Sequence, residues 1–166
     1  PAPLMDAEAT AWALDDAIAA GKVGAVGVSN FLPEQWRRLQ AAMHNRLGVH
    51  QLELSLAHPD ALFDGFYDAI LADGLAPMAW SPLGGGSLMR GDTALTRRMD
   101  ALAGEFGVDR AAIAVAFLLR HPATILPVLG TNSLVRIAAI PDARKVDLTR
   151  VQWFQLYEAA LGREVA

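Results

Sequence analysis

The stretch Val23-Gly24-Ala25-Val26-Gly27-Val28-Ser29 decides the fold of this chain. It is an almost uninterrupted apolar run rich in valine, and such a run predicts a strand of a parallel sheet covered by helices. Further strands are predicted at His50–Ser55, Pro77–Trp80 and Thr124–Val128. One helical segment follows each of the first two strands, and two helical segments follow the third. These repeated strand–helix units predict parallel strands joined by right-handed crossovers.

The helices are predicted from cap residues and apolar spacing. Asp6 caps a first helix that ends before Gly21, and Pro33 suits the first position of the second helix. Four strand–helix units make half of an eight-unit barrel. Since no linker or low-complexity segment divides the chain, residues 1–166 are predicted to form a single block. The predicted helices cover residues 7–20, 33–42, 62–72, 94–106, 110–120, 134–140 and 150–161.

The composition excludes several classes of function. The 166 residues carry a net charge of −4 without a basic cluster, which argues against a nucleic-acid surface. The chain has no cysteine, so it has no disulfide or thiolate metal site, and a cytoplasmic location is expected. No apolar run approaches the roughly 20 residues of a membrane span, and the first residues lack a signal-peptide core. His44, His50, His58 and His121 show no metal-site spacing, so no metal is expected.

A tryptophan and a glycine-rich loop follow the third predicted strand, in the stretch Ala79-Trp80-Ser81-Pro82-Leu83-Gly84-Gly85-Gly86-Ser87-Leu88. Glycine lacks a Cβ, so such a loop can bring backbone N–H groups close to a ligand, and clustered N–H groups suit phosphates. The face of Trp80 offers a surface on which a ring can stack. A mobile surface loop beside a core tryptophan is the alternative interpretation.

Polar side chains also stand at the carboxyl ends of the first two strands, where functional groups gather in a parallel barrel. Asn30 and Gln51 each carry a donor and an acceptor, which suits a carboxamide with the reverse pattern. Together with Trp80 and the glycine loop, these side chains indicate a pyridine dinucleotide site. Each also fits a structural role, a turn for Ser29-Asn30 or an inter-strand hydrogen bond for Gln51. The other strand-end candidates are Glu53, Ser55, Gly130 and Thr131.

Four ordered motifs carry a resemblance to a known family. The segment Gly21-Lys22-Val23-Gly24-Ala25-Val26-Gly27-Val28-Ser29-Asn30-Phe31 closely resembles the aldo-keto reductase signature that opens the second half of that family's barrel. Residues 51–55, 79–84 and 128–131 follow in the family's order and at suitable intervals. The resemblance implies an α/β fold, a parallel (β/α)8 TIM barrel. This chain would supply about the last four β/α units of it plus a C-terminal helix.

The resemblance also implies an NADPH (NADP) cofactor and the residues that bind it. Arg136 suits the adenosine 2′-phosphate, since a guanidinium holds phosphate oxygens with paired charge-assisted bonds. In the family's pattern Trp80 takes the place of the aromatic residue that stacks on the nicotinamide ring. The remaining residues are implied for the nicotinamide carboxamide (Ser29, Asn30, Gln51), the pyrophosphate (Ser81, Leu83, Gly84, Gly85) and the 2′-phosphate (Thr131, Ser133).

No catalytic residue is assigned within this chain. The family's catalytic Tyr, Lys and Asp belong to the first half of its barrel, and its catalytic His would fall just before Pro1. Tyr67 and Tyr157 lie inside predicted helices, away from strand ends, and are interpreted as packing residues. Gly130 stands where the family often has a Lys, a departure that bears on the preference for NADPH.

The function implied by the resemblance is NADPH-dependent reduction of aldehydes or ketones, with a small-molecule carbonyl compound as substrate. The isolated chain is expected to be inactive and to associate with itself or with a missing N-terminal half-barrel. Its strand residues Val26, Val28, Leu52 and Leu54 are expected to face the barrel interior and meet water. Two alternatives stay open: a non-catalytic half-barrel that binds nucleotides or self-associates, and an unrelated phosphate-binding barrel such as a lyase or isomerase.

Overall fold

The computed structural model describes residues 4–165. Every predicted helix and strand is present in this range, although several boundaries differ. Short 3₁₀ helices cover Asp60–Leu62, Gly84–Met89 and Ile140–Lys145. The helices are α1 (Ala7–Ala19), α2 (Pro33–Ala42), α3 (Phe66–Ala72), α4 (Ala94–Phe106), α5 (Arg110–Leu119), α6 (Leu134–Ala139) and α7 (Arg150–Leu161). The strands are β1 (Val26–Ser29), β2 (Leu47–Glu53), β3 (Ala76–Trp80) and β4 (Leu126–Val128).

The four strands form one sheet in the order β1-β2-β3-β4. β1 and β2 run parallel, with Val28 opposite His50 and Ser29 opposite Gln51. Because successive side chains of a strand alternate between the two faces, Val28 and His50 share one face and Ser29 and Gln51 share the other. Val28 and His50 are buried, whereas Ser29 is exposed and Gln51 is half-buried. The polar strand-end residues therefore stand on the more open face.

Burial corrects the expectation that Val28, Leu52 and Leu54 meet water, while Val26, the fourth residue of that expectation, is half-buried. Their exposed fractions are 8%, 3% and 0%, so all three belong to the core. On β2 the buried face carries His50 and Leu52, while the half-buried Gln51 points to the opposite face. The chain therefore buries the apolar face of β2 by its own packing, and the polar side chains between the apolar ones lie on the open face.

Each of the four strands differs from the prediction in at least one boundary, and two of these differences bear on the site. β1 begins three residues later than predicted, at Val26, the residue opposite Leu47 at the start of β2. β2 ends before Ser55, which forms an isolated antiparallel bridge with His58. The buried Ser55 Oγ accepts hydrogen bonds from the backbone N–H groups of Ala57 and His58 at 3.1 and 3.2 Å. Ser55 is therefore a turn residue and not an open strand-end group.

The chain divides into two compact units, one of residues 1–52 and 62–78 and the other of residues 53–61 and 79–166. Each unit has its own packed centre, described separately below. That residues 1–166 behave as a single block stays a prediction. Within residues 4–165, no helix has the length and apolar character that crossing a membrane requires.

An aromatic cluster lies at the centre of the first unit. Trp36 of α2, His50 of β2 and Phe66 of α3 contact one another edge to face, with ring centroids 4.9 to 5.7 Å apart. Trp36 Nε1 donates a 2.6 Å hydrogen bond to the Asp73 carboxylate, and Arg37 Nε donates to the same oxygen at 2.7 Å. These contacts join the second and third helices to β2.

Helix α5 forms the centre of the second unit, and its residues from Ala112 to Leu118 are all buried. Phe117 stacks on Trp153 of α7, with ring centroids 4.6 Å apart and an angle of 9° between the planes. Trp153 Nε1 also donates to the carbonyl oxygen of Phe117 at 2.9 Å. The side chains of Asp109 and Thr149 cap α5 and α7 and so define where these helices begin.

Candidate cofactor-binding site

In the first unit, the loop after β1 lies against the end of β2. Asn30 has a φ of +56°, in the left-handed region that Asn tolerates better than most residues. Its backbone N–H donates a 2.9 Å hydrogen bond to the carbonyl oxygen of Gln51. Ser29 stands opposite Gln51 in the strand register. The three residues predicted for the nicotinamide carboxamide therefore lie together at the carboxyl ends of two adjacent strands.

The sequence interpretation missed His50 as a part of this region. His50 is fully buried, and its Nε2 lies 2.9 Å from the carbonyl oxygen of Phe31, the residue after Asn30. Burial lowers the pKa of the imidazole, and the hydrogen bond to Phe31 opposes that shift. The sequence did offer one signal for His50. It stands two residues before Leu52, so both side chains lie on the apolar face of β2.

In the second unit, Trp80 ends β3 and is followed by a tightly turned loop. Ser81 has a φ of +51°. The backbone N–H of Gly84 donates to the Ser81 carbonyl at 2.8 Å, and that of Gly86 donates to the Leu83 carbonyl at 3.0 Å. The loop thus consists of two successive turns. Trp80, Ser81, Leu83 and Gly84 are half-buried, and Gly85 is exposed.

Three successive glycines of this loop adopt a backbone conformation that other residues rarely reach, and Gly86 has a φ of +88°. Gly84 and Gly85 have φ values of +58° and +60°. A Cβ at Gly84 would lie 2.6 Å from both Ala57 Cβ and Ser87 Oγ, whereas a Cβ at Gly85 would meet nothing within 4 Å. Because neither position carries a side chain, a ligand can approach the backbone of the loop closely. The arrangement fits the phosphate role that the resemblance implies.

An ion pair holds the far end of the same loop. Arg110 Nη1 donates a 3.2 Å hydrogen bond to the carbonyl oxygen of Leu88, while its Nε and Nη2 donate to the two carboxylate oxygens of Asp100 at 2.7 and 2.5 Å. The hydrogen bonds from Arg110 hold the pKa of Asp100 below its usual range. No sequence pattern pointed to this contact, since the partners lie on α4, on α5 and in the loop.

The segment after β4 carries the residues implied for the 2′-phosphate. Thr131 Oγ1 accepts a 3.2 Å hydrogen bond from the backbone N–H of Ser133. Ser133 Oγ accepts from the backbone N–H of Arg136 at 3.5 Å and caps α6. The Arg136 residue is exposed. The structure therefore brings these three residues into one short turn that ends in an accessible guanidinium.

The remaining candidates have less specific surroundings. His58 Nε2 lies 3.7 Å from Glu53 Oε1, and both side chains are more than a third exposed. Tyr67 and Tyr157 lie within α3 and α7 and are buried, which confirms their interpretation as packing residues. Among residues 4–165, no cluster of three or more His, Asp or Glu side chains is arranged to hold a metal ion.

Comparison with known proteins defines the class to which this fold and these strand ends belong. The model of the aldo/keto reductase family matches residues 1–160. The solved structure of an aldo-keto reductase from Klebsiella pneumoniae, in complex with NADP and acetate, superposes with a TM-score of 0.81 at 21% identity. The match covers 92% of this chain and 54% of that one. The α/β barrel class predicted from the sequence is therefore confirmed, and the chain belongs to the aldo/keto reductase family.

Individual relatives are more similar in sequence. The chain is 51% identical over 167 residues to the 6-dehydroglucose reductase of Agrobacterium fabrum, covering 100% of this chain and 56% of that protein. It is 40% identical over 156 residues to the 6-dehydroglucose reductase of Novosphingobium aromaticivorans, covering 92% of this chain and 51% of that protein. The chain thus spans about half the length of the curated relatives it matches.

Proposed function

We propose that this chain is the cofactor-binding half of an NADPH-dependent oxidoreductase that reduces aldehydes or ketones to alcohols. The observation that carries the proposal is the hydrogen bond between Asn30 N–H and the Gln51 carbonyl, which joins the backbones of two amide-bearing residues at the carboxyl ends of adjacent strands. The oxidoreductase names of the relatives support the reaction class. The absence of cysteine agrees with a cytoplasmic location, which we also propose.

In the first unit, Ser29, Asn30 and Gln51 hold the carboxamide of the nicotinamide. An amide side chain can donate to the carboxamide oxygen and accept from its NH₂ group at the same time. Pairing both groups fixes the rotation of the ring about its axis, and so decides which face is presented to the substrate. When bound, NADPH supplies the hydride, and these side chains contribute orientation.

In the second unit, Trp80 offers the nicotinamide ring a flat face and the following loop offers backbone N–H groups to the pyrophosphate. The loop residues proposed for this role are Ser81, Leu83, Gly84 and Gly85. The Gly84 N–H already donates to the Ser81 carbonyl within the turn, so the two glycines fit this role by their lack of a side chain, which lets a phosphate approach the loop closely. The aldo-keto reductase of similar fold from Klebsiella pneumoniae was solved in complex with NADP, which supports a dinucleotide of this kind as the ligand.

Thr131, Ser133 and Arg136 bind the 2′-phosphate in this proposal. Arg136 is exposed and follows directly on the turn capped by Ser133. A guanidinium can donate two parallel hydrogen bonds to phosphate oxygens, and both threonine and serine hydroxyls can donate as well. The group therefore favours a dinucleotide that carries this phosphate.

No residue of this chain is proposed to donate the proton to the carbonyl oxygen. The experiment compares two purified proteins, the 166-residue chain and a full-length protein with the length of its relatives, by NADPH oxidation with a simple aldehyde. We expect only the full-length protein to oxidise NADPH, because general acid catalysis and correct positioning of the reactants each raise the reaction rate by a large factor. Sustained NADPH oxidation by the 166-residue chain alone would contradict the proposal that this chain binds the cofactor without supplying the proton.

The names of the two relatives suggest a substrate class. Both are called 6-dehydroglucose reductases, and one of them shares 51% of its aligned residues with this chain. We propose that the substrate is a carbonyl group on an oxidised sugar. The test measures kcat/KM of the full-length protein for 6-dehydroglucose and for a simple aliphatic aldehyde, and a higher value for the aldehyde contradicts the proposal.

A further inference from the structure

The loop that carries Asn30 is held at three consecutive residues. Asn30 N–H donates to the Gln51 carbonyl at 2.9 Å, and Leu32 N–H donates to Gln35 Oε1 at 2.8 Å. Between them, the carbonyl oxygen of Phe31 lies 2.9 Å from His50 Nε2. The partners are a backbone carbonyl at Gln51, a side chain of α2 at Gln35 and a side chain of β2 at His50. Asn30 itself is in the left-handed conformation, which costs energy unless its surroundings hold it.

The contact with Phe31 defines the tautomer of the His50 ring. A backbone carbonyl only accepts, so the Nε2 atom of His50 carries the proton. His50 Nδ1 is buried and has no hydrogen-bond partner among the described residues. A charged ring would bury a second donor without a partner, and such a group is costly. The neutral Nε2–H form satisfies Phe31 and leaves only an acceptor unpaired.

Packing fixes the orientation of this donor. The ring of His50 contacts Trp36 and Phe66 edge to face, with ring centroids 4.9 and 5.3 Å apart. The side chain is fully buried, so the ring has little freedom to turn away from Phe31. The donor is thus set rigidly in the protein interior, on the face of β2 opposite to Gln51.

We propose that His50 is a positioning residue for the nicotinamide, acting through the Phe31 carbonyl on the Ser29-Asn30 turn. The inference rests on the proposed function, because it needs a nicotinamide held by that turn. Its consequence is selective: loss of the hydrogen bond weakens contacts with the nicotinamide end of the cofactor and leaves those with the adenosine end unchanged.

The experiment uses the full-length protein and two ligands, NADP⁺ and 2′-phospho-ADP-ribose, which is the same molecule without the nicotinamide. His50→Phe keeps an aromatic ring and removes the donor, while His50→Gln keeps a donor at similar reach. We expect His50→Phe to weaken NADP⁺ binding about five- to tenfold, as for the loss of one hydrogen bond, with binding of 2′-phospho-ADP-ribose unchanged. His50→Gln should recover most of the loss. Trp36→Phe is the matched control, since the Trp36 side chain contacts the same ring and its Nε1 bonds Asp73 and not the loop. For this variant, the ratio of the affinities for the two ligands should equal that of the wild type.

The outcomes separate the two proposals. A wild-type protein that binds neither ligand overturns the proposed function, and the inference falls with it. A wild-type protein that binds both, with a His50→Phe variant that weakens both equally or neither, overturns only the role of His50. Nitrogen NMR of the wild-type His50 imidazole tests the hydrogen bond to Phe31 even if His50→Phe does not fold. An Nδ1–H tautomer excludes this bond and overturns the inference, whereas an Nε2–H tautomer supports it.

Discussion

The backbone N–H of Asn30 and the carbonyl oxygen of Gln51 are joined by a 2.9 Å hydrogen bond. This bond fastens a left-handed turn at the end of β1 to the end of β2. It is a ladder bond of the Ser29–Gln51 pair, since each residue of a parallel ladder bonds the neighbours of the residue opposite it. The bond joins the backbones of two amide-bearing residues, one in the turn after β1 and one on β2, so the backbone geometry at Asn30 becomes part of the site.

Two substitutions at Asn30 separate this backbone geometry from the amide group. Asn30→Ala should lower the free energy of unfolding by about 1 kcal/mol, because a left-handed φ is strained for alanine, whereas Asn30→Gly should be close to neutral. Both variants should weaken NADP⁺ binding about five- to tenfold through loss of one amide contact. Denaturant unfolding and NADP⁺ titration of the full-length protein measure the two effects. An Asn30→Gly variant that binds NADP⁺ like the wild type would remove Asn30 from the carboxamide site.

Gly84 and Gly85 offer a matched pair for testing the loop after β3. Both have a left-handed φ, so alanine costs about 1–2 kcal/mol of strain at either position. At Gly84 the new methyl group also meets Ala57 Cβ and Ser87 Oγ at 2.6 Å, which adds roughly 1–3 kcal/mol of overpacking. We expect Gly84→Ala to be clearly the more destabilised variant in urea unfolding. Equal midpoints for the two variants would show that the loop relaxes away from this contact.

Arg136→Ala should change cofactor preference in the full-length protein. Only NADPH carries the 2′-phosphate, so NADPH binding should weaken about 10- to 100-fold, as expected for losing bonds to a charged group, while NADH binding stays the same. The control is Arg144→Ala, an exposed arginine of the Ile140–Lys145 helix with no proposed ligand role. Equal weakening of both cofactors by Arg136→Ala, measured by fluorescence titration, would indicate a structural role.

Asp73 gives the first unit a dependence on pH. Hydrogen bonds from Arg37, and then from Trp36, hold the pKa of Asp73 below its usual range. A lowered carboxyl pKa stabilises the fold above the unfolded-state value of about 3.9, and that stabilisation is lost as the pH falls through the lower folded-state value. We therefore expect Asp73→Asn to destabilise the protein at pH 7, with a difference from wild type that shrinks below pH 4.

Thermal unfolding at pH 7 and at pH 3 checks the Asp73 prediction. The control is Asp16→Asn, at an exposed position near the end of α1. This variant should show no comparable convergence with the wild type at low pH. A loss of stability in Asp73→Asn that has the same size at both pH values would mean that the ionised carboxylate is not what stabilises the contact.

The strand order leads to a prediction about the 166-residue chain by itself. β1 and β4 are the ends of the order β1-β2-β3-β4, and unpaired strand edges promote association. Leu134 and Val135 of α6 are also 81% exposed each. We expect this chain to dimerise or aggregate at micromolar concentration, as measured by sedimentation velocity. Leu126→Lys on β4 should reduce the association, and a wild-type chain that sediments as a monomer would disprove the prediction.

Much of the fold was predictable because its signals are local. Asp6 and Asp109 accept hydrogen bonds from backbone N–H groups three residues ahead, so the starts of α1 and α5 depend on neighbours in the chain. Boundaries that depend on partners were predicted less well. β1 begins where β2 offers an opposing residue, at Val26, and α3 begins only after Gly65 at a φ of +87°. The identity of the site residues came from the order of the motifs, and their binding roles stay predictions.

The sequence by itself determined the alternation of strands and helices, the capped helix starts and the family. The alternation follows from apolar spacing and the helix starts from hydrogen bonds between residues three positions apart, whereas the family followed from the resemblance of four motifs in the family's order. Only the tertiary structure decided that Val28 and His50 are buried while Ser29 and Gln51 are left on the open face. The tertiary structure also decided that His50 contacts Phe31. These residues are 19 positions apart in the sequence, and packing alone selects which distant groups become neighbours.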